Sequence, residues 1–146
     1  MSVGERVDTA AAYWFEVHVD DVPWMVVQTV SGLGASWEQS MEIWEDASTY
    51  RVVPTKIKWS NIVLKGAVVE KKLFFDWFTQ VKIGAVGKAR KKVVINLKHA
   101  GKTISTWSAE GALPLKYSGP MFDASSTSIA FETIELTHLG LKREEV

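Results

Sequence analysis

The chain is predicted to be mainly β, a barrel or sandwich with one flanking helix at about residues 70–83, and three observations carry that reading. Apolar residues recur at every second position through much of the chain. The period switches to a helical one between Glu70 and Ile83. Turn-forming residues separate the remaining segments at the short spacing of a sandwich or barrel.

Tyr13, Phe15, Val17 and Val19 alternate with Trp14, Glu16, His18 and Asp20, the mark of a half-buried strand. After the turn Asp20-Asp21-Val22-Pro23, the stretch Trp24 to Val30 is apolar on both faces, as in a strand covered on both sides. Ser31-Gly32-Leu33-Gly34 breaks the chain. Trp37 to Glu45 then sets Trp37, Gln39, Met41 and Ile43 against an acidic face of Glu38, Ser40 and Glu42, with Trp44 at its end. A polar loop is expected from Asp46 to about Pro54. Lys56-Ile57-Lys58-Trp59 and Ile62-Val63-Leu64-Lys65 read as short strands around a turn or kink at Ser60-Asn61.

In the middle, Leu73, Phe74, Trp77, Phe78 and Val81 form one stripe of a helix, with Lys72, Asp76, Thr79 and Gln80 on its wet side and Gly84 as a stop. The stripe reads as core that plugs the open side of a sheet, and Phe75 lies off it. Strands resume at Lys91 to Lys98 and Lys102 to Trp107, joined by His99-Ala100-Gly101. Leu113 to Tyr117 and Ser128 to His138 complete the sheet, with Ser118-Gly119-Pro120 and the polar stretch Asp123 to Thr127 between them.

The chain has 146 residues, enough for a single domain, 1–146, that buries roughly 68–70% of the surface exposed when unfolded; ends of about 1–10 and 141–146 are expected to be flexible. Seventeen basic and seventeen acidic residues cancel, which argues against an electrostatic grip on nucleic acid over the whole surface. Cysteine is absent, so disulfides, thiolate metal sites and cysteine nucleophiles are excluded. No run approaches the ~18 apolar residues of a membrane helix, and no export signal is visible, so synthesis in the cytoplasm is expected. Seven tryptophans, six phenylalanines and three tyrosines are many for this length and point to association between copies.

Reactive constellations are missing from the sequence. His18, His99 and His138 sit on separate elements without metal-ligand spacing and read as ordinary surface or half-buried side chains. Gly32-Leu33-Gly34-Ala35-Ser36-Trp37 begins like a dinucleotide fingerprint, but lacks its third glycine and precedes a strand. Glu38 and Glu42 stand roughly 13–14 Å apart along a strand, too far for a glycosidase pair. Lys88, Arg90, Lys91, Lys92 and Lys98 form a basic cluster without interleaved aromatics, better suited to a solvated edge or an acidic protein partner than to nucleic acid. Neither an enzyme nor a bound cofactor or metal is expected.

A set of motifs runs in order along residues 13–141. It comprises Phe15-Glu16-Val17-His18-Val19-Asp20, Val30-Ser31-Gly32-Leu33, the acidic strand Glu38-Gln39-Ser40-Met41-Glu42, Ile62-Val63-Leu64-Lys65-Gly66 and Leu73-Phe74-Phe75-Asp76-Trp77-Phe78. It continues through Trp107, Ala112-Leu113-Pro114-Leu115-Lys116-Tyr117-Ser118-Gly119-Pro120 and Glu132-Thr133-Ile134-Glu135-Leu136-Thr137-His138. In this order the set resembles the T4-like phage tail tube family, which includes the inner tubes of contractile injection systems. Ser31, Gly32, Leu33, Gly66, Trp77, Trp107, Pro114, Gly119 and Pro120 are the positions whose motif role is structural. The chain departs from the family pattern at Asp46-Ala47-Ser48-Thr49-Tyr50, where glycines are usual, at Pro54-Thr55 in place of Pro-Gly, and at Lys65-Gly66, where an arginine usually precedes the glycine.

The resemblance implies a barrel-like subunit, six to a ring, with rings stacking into a hollow tube inside a contractile sheath of a phage tail or injection particle. Sheath, baseplate and terminator proteins would be its partners, with cargo in the lumen and no stable membrane insertion of the isolated subunit. Unpaired strand edges suit such growth, because a neighbour can continue the sheet and a heterologous interface repeats along an axis. Glu38, Ser40 and Glu42 are candidates to face the channel. Asp46, Ala47, Ser48, Thr49, Tyr50 and Arg51 are candidates for a loop touching an adjacent subunit or ring. The alternatives are a baseplate or tube-initiator subunit of the same fold, and a monomeric barrel that carries a small apolar ligand.

Overall fold

The computed structural model describes residues 13–20, 22–43, 50–67, 73–81, 86–120, 125 and 131–144. In chain order the elements are β1 (Tyr13–Val19), β2 (Val22–Val27), β3 (Thr29–Ser31), β4 (Ala35–Ile43), β5 (Tyr50–Trp59), β6 (Ile62–Ala67), α1 (Leu73–Thr79) and α2 (Val86–Ala89). They continue with β7 (Lys91–His99), β8 (Lys102–Ser118), β9 (Phe131–Thr137) and β10 (Gly140–Glu144).

One antiparallel sheet follows the path β2-β1-β7-β8-β9-β6-β3, with β10 added alongside β8. Its two end strands, β2 and β3, are consecutive in the chain and separated only by Gln28. The Gln28 N–H donates to the Lys65 carbonyl at 2.8 Å, so the chain itself draws the two ends of the sheet together without a continuous ladder between them. The result is mainly β and barrel-like, though not closed. Alternation explains which face is inside: Val17, Ile95 and Val19, Val93 pair directly, as do Leu64, Ile134 and Ile62, Leu136, and all eight side chains are fully buried.

The long strand β8 belongs to both halves of the wall. Its first part pairs with β7 and β10, and from Leu113 it pairs with β9. The sequence pattern gives two strands here, Lys102 to Trp107 and Leu113 to Tyr117. The structure instead bends one strand at Gly111, whose φ of +61° turns the chain without ending it. Trp24 to Val30, expected as one strand, is divided at Gln28 for the complementary reason: its two parts pair with different neighbours. Leu141 to Glu144, expected to be a flexible end, pair with β8 as part of β10.

Helix α1 lies within the expected span of residues 70–83; residues 70–72 and 82–83 lie outside the described residues. Phe74 and Trp77 are buried, as the helical stripe requires, and the Trp77 indole N–H donates to the Ala89 carbonyl at 2.7 Å. That bond ties α1 to α2, a single turn of four residues that no periodicity could announce. Gly66 is buried beneath this packing. A Cβ there would rest in ordinary contact with Val27 at 3.6 Å and Phe74 at 3.8 Å, which places Gly66 between β2 and α1.

Candidate functional site

Strands β4 and β5 form a two-stranded sheet that, among the described residues, pairs with no other strand. Each therefore keeps one open backbone edge, and a two-stranded ribbon is at best marginally stable by itself. Opposed residues share a face of the ribbon. Trp37 stands against Ile57, Gln39 against Pro54, Met41 against Val52, and Ile43 against Tyr50. This face is apolar and uncovered: Trp37, Met41, Tyr50, Val52 and Ile57 are all exposed, Trp37, Met41 and Tyr50 by more than 60%. Five uncovered large side chains on one ribbon make an apolar patch that marks an interaction surface.

The opposite face is polar. Ser36 stands against Lys58, Ser40 against Val53 and Glu42 against Arg51. The Arg51 Nε–H donates to a Glu42 carboxylate oxygen at 3.1 Å, in an exposed ion pair. Glu38 stands where the ladder shifts: Thr55 and Lys56 together occupy the interval opposite this single residue, and the Thr55 hydroxyl donates to the Glu38 carbonyl at 3.0 Å. The structure thus brings Glu38, Ser40 and Glu42 onto one exposed face, as their alternation predicts. It also corrects the acidic reading, since β5 contributes cations to the same face.

The expected loop from Asp46 to Pro54 is corrected as well. Tyr50 to Pro54, including the loop candidates Tyr50 and Arg51, belong to β5, while Asp46, Ala47, Ser48 and Thr49 lie outside the described residues. What sequence reading missed is the contribution of Tyr50, Val52 and Ile57 to the apolar face. The extra residue at Thr55-Lys56 moves the apolar positions from even to odd numbers, so strict alternation fails along β5 although the face itself is continuous.

The ribbon meets the body at a narrow neck formed by residues 32–34 and 60–61. Ser31 ends β3, and Gly32 at φ +83° passes so close to the other crossing that a Cβ would overlap the Asn61 carbonyl. Leu33 packs against the core, and the Ser60 N–H donates to the Gly34 carbonyl at 3.0 Å. The remaining motif positions serve the body. Trp77 and Pro114 are buried, Trp107 is half-buried beneath the Arg143 guanidinium at 5.3 Å, and Gly119 lies beside the Tyr117 ring. Pro120 follows at the end of β8.

Among the described residues no group of three or more His, Cys, Asp or Glu could hold a metal ion, and no helix is long and apolar enough to cross a membrane.

The family model of the T4-like virus tail tube protein gp19 matches residues 11–142. The chain belongs to the T4-like virus tail tube protein family. It is a structural tube protein of that family, and no curated relative matches it in sequence. Among solved structures, it is similar to a chain of the PVC sheath-tube complex in the extended state, an extracellular contractile injection system, with 26% identity, all of both chains covered and a TM-score of 0.81. A chain of the PVC sheath/tube terminator is similar at 25% identity over 90% of this chain and 93% of the other, with a TM-score of 0.77. Hcp1 from Flavobacterium johnsoniae shares the fold, with 16% identity over 89% of this chain and 94% of the other and a TM-score of 0.56.

Proposed function

We propose that this tail tube protein is the repeating subunit of the inner tube of a contractile tail or extracellular contractile injection particle, and that the β4–β5 ribbon is the arm by which copies join. Six copies form a ring, rings stack, and sheath, baseplate and terminator proteins contact the resulting tube. The apolar face of the ribbon packs against a neighbouring copy, while the face with Glu38, Ser40 and Glu42 borders the wet channel through which cargo passes. No catalytic chemistry enters this role. The subunit is made in the cytoplasm, folds as one domain and is incorporated into the particle.

The observation that carries the reading is the uncovered apolar face of a ribbon with two open edges. Trp37, Met41, Tyr50, Val52 and Ile57 are partly covered already, so burying each further contributes on the order of 1 kcal/mol. A ring repeats that gain at every junction, which lets individually weak contacts hold a rod. Negative-stain microscopy of the purified protein, with a solution mass, tests the proposal. Rings or hollow rods support it; a monomer at high concentration, even beside its sheath protein, sinks it.

A second reading follows from the similarity to the PVC sheath/tube terminator structure: the chain caps or starts a tube instead of filling it. Copy number in purified particles separates the two, since a cap contributes one ring and a tube many.

A further inference from the structure

The ribbon reaches far beyond its support, which makes its direction sensitive to small changes at the neck. Nine residues of β4 extend about 27 Å, so a rotation of about 10° at the base displaces the tip by ~5 Å, one full strand spacing. An arm that must meet a neighbour in register therefore needs a stiff base. Main-chain contacts at Gly32 and Gly34 hold the two crossings to each other, but by themselves they do not fix the ribbon against the sheet.

That second constraint comes from the corner between β9 and β10. His138 is buried there, and its Nε2 lies 3.0 Å from the Ser60 carbonyl. A carbonyl only accepts, so Nε2 donates; among the described residues the buried Nδ1 has no hydrogen-bond partner. The Trp59 indole, at the last residue of β5, lies against the imidazole with ring centroids 5.9 Å apart, and a Cβ on Gly140 would meet that same indole at 3.9 Å. On the other side of Ser60, the Asn61 amide donates to the Glu135 carboxylate at 3.0 Å. Residues 59, 60 and 61 are thus each held by the β9–β10 segment.

An aliphatic side chain could fill the same corner but could not donate to the Ser60 carbonyl, so the polar contact, and not core filling, is what histidine adds at this position. We propose that His138 is the positioning residue of the assembly arm: through Ser60 and Trp59 it sets the angle at which the β4–β5 ribbon leaves the body. The inference rests on the ribbon being the arm of assembly, and adds how the arm is aimed.

The absence of cysteine allows two spin labels to be placed cleanly, at Ser40→Cys on the ribbon and Lys102→Cys on the body, both exposed positions. Their distance is measured by pulsed electron resonance in the unassembled subunit. The native protein should give one narrow distribution. His138→Gln, whose side-chain N–H can still reach the Ser60 carbonyl, should keep it narrow, whereas His138→Asn and His138→Leu should broaden or shift it. Ser60 is exposed and water can replace the lost donor, so the melting temperature should move little. Without the labels, the Leu variant should assemble about tenfold less readily, as expected when roughly one hydrogen bond's worth of orientation is lost.

Equal narrow distributions for Asn, Leu and native proteins would overturn the proposal, and if the Leu variant fails to fold, the contrast between Gln and Asn still decides. Should the native subunit itself form no rings or rods, the tube reading fails, while the distance measurement still reports whether His138 aims the ribbon.

Discussion

Met41 stands directly opposite Val52 in the β4–β5 ladder, and both remain open to solvent, 63% and 50% exposed. A cross-strand apolar pair normally stabilises a sheet by closing on a third surface; here no such surface exists within the described chain. Replacing both with lysine should therefore cost the isolated subunit only about 1 kcal/mol, from the covered part of each side chain and the two opposed like charges. Assembly should be abolished in the same variant. Thermal unfolding beside sedimentation velocity checks this, and native-sized assemblies from the double variant would remove the apolar face from the account.

Two glycines predict different costs for the same substitution. At Gly32, φ is +83° and a Cβ would overlap the main chain of Asn61, which cannot step aside. Gly32→Ala should cost about 3 kcal/mol or more, the sum of backbone strain and displacement of the neck. At Gly111, φ is +61° and the Cβ would lie 2.6 Å from the end of Leu139, a side chain 68% exposed and free to turn. Gly111→Ala should cost only about 1 kcal/mol. Denaturant titration of both variants measures the difference, and equal costs would show that the neck is less constrained than described.

Trp77 should behave as a link between the two helices as well as core. Trp77→Phe keeps an aromatic ring but removes the donor to the Ala89 carbonyl and leaves a void beside it. The expected loss is about 2–3 kcal/mol. Amide exchange should quicken around residues 86–90 more than in β9; a uniform change would mean that the indole N–H is not what holds α2.

Tyr117 supplies a pH signature. Its hydroxyl donates to the Glu132 carboxylate at 2.6 Å, and that bond first, then burial, then the carboxylate's charge, push its pKa up to about 12 from 10.0. Because the folded value lies above the unfolded one, the neutral phenol's stabilising contribution is complete below pH 10 and is lost as pH rises toward 12. Stability should fall across that window, and the fall should be shallower in Tyr117→Phe. Urea unfolding at a series of pH values compares the two; parallel curves would mean that the tyrosine is not responsible.

Much of the body was legible because its chemistry is local. Val17 and Val19 are buried by the alternation that announces them, and Phe74 and Trp77 by helical spacing. Partners in the sheet were not legible: nothing in Lys102 to Ser118 states that one strand serves two halves of a wall, bent at Gly111. The site was half visible. Glu38, Ser40 and Glu42 do share an exposed face, but its charge depends on Arg51 and Lys58, which only the register places there. The bulge at Thr55-Lys56 hid the apolar side of β5 by changing its parity. His138 was unremarkable in sequence because its meaning lies in a contact with Ser60, far away in the chain.

A map of the assembled particle at side-chain detail tests the central claim most directly. The account predicts that Trp37, Met41, Val52 and Ile57 of each copy are buried against the next copy, with Glu38, Ser40 and Glu42 along the bore. A particle in which the β4–β5 ribbons stand away from neighbouring copies, their apolar faces still in solvent, would contradict it.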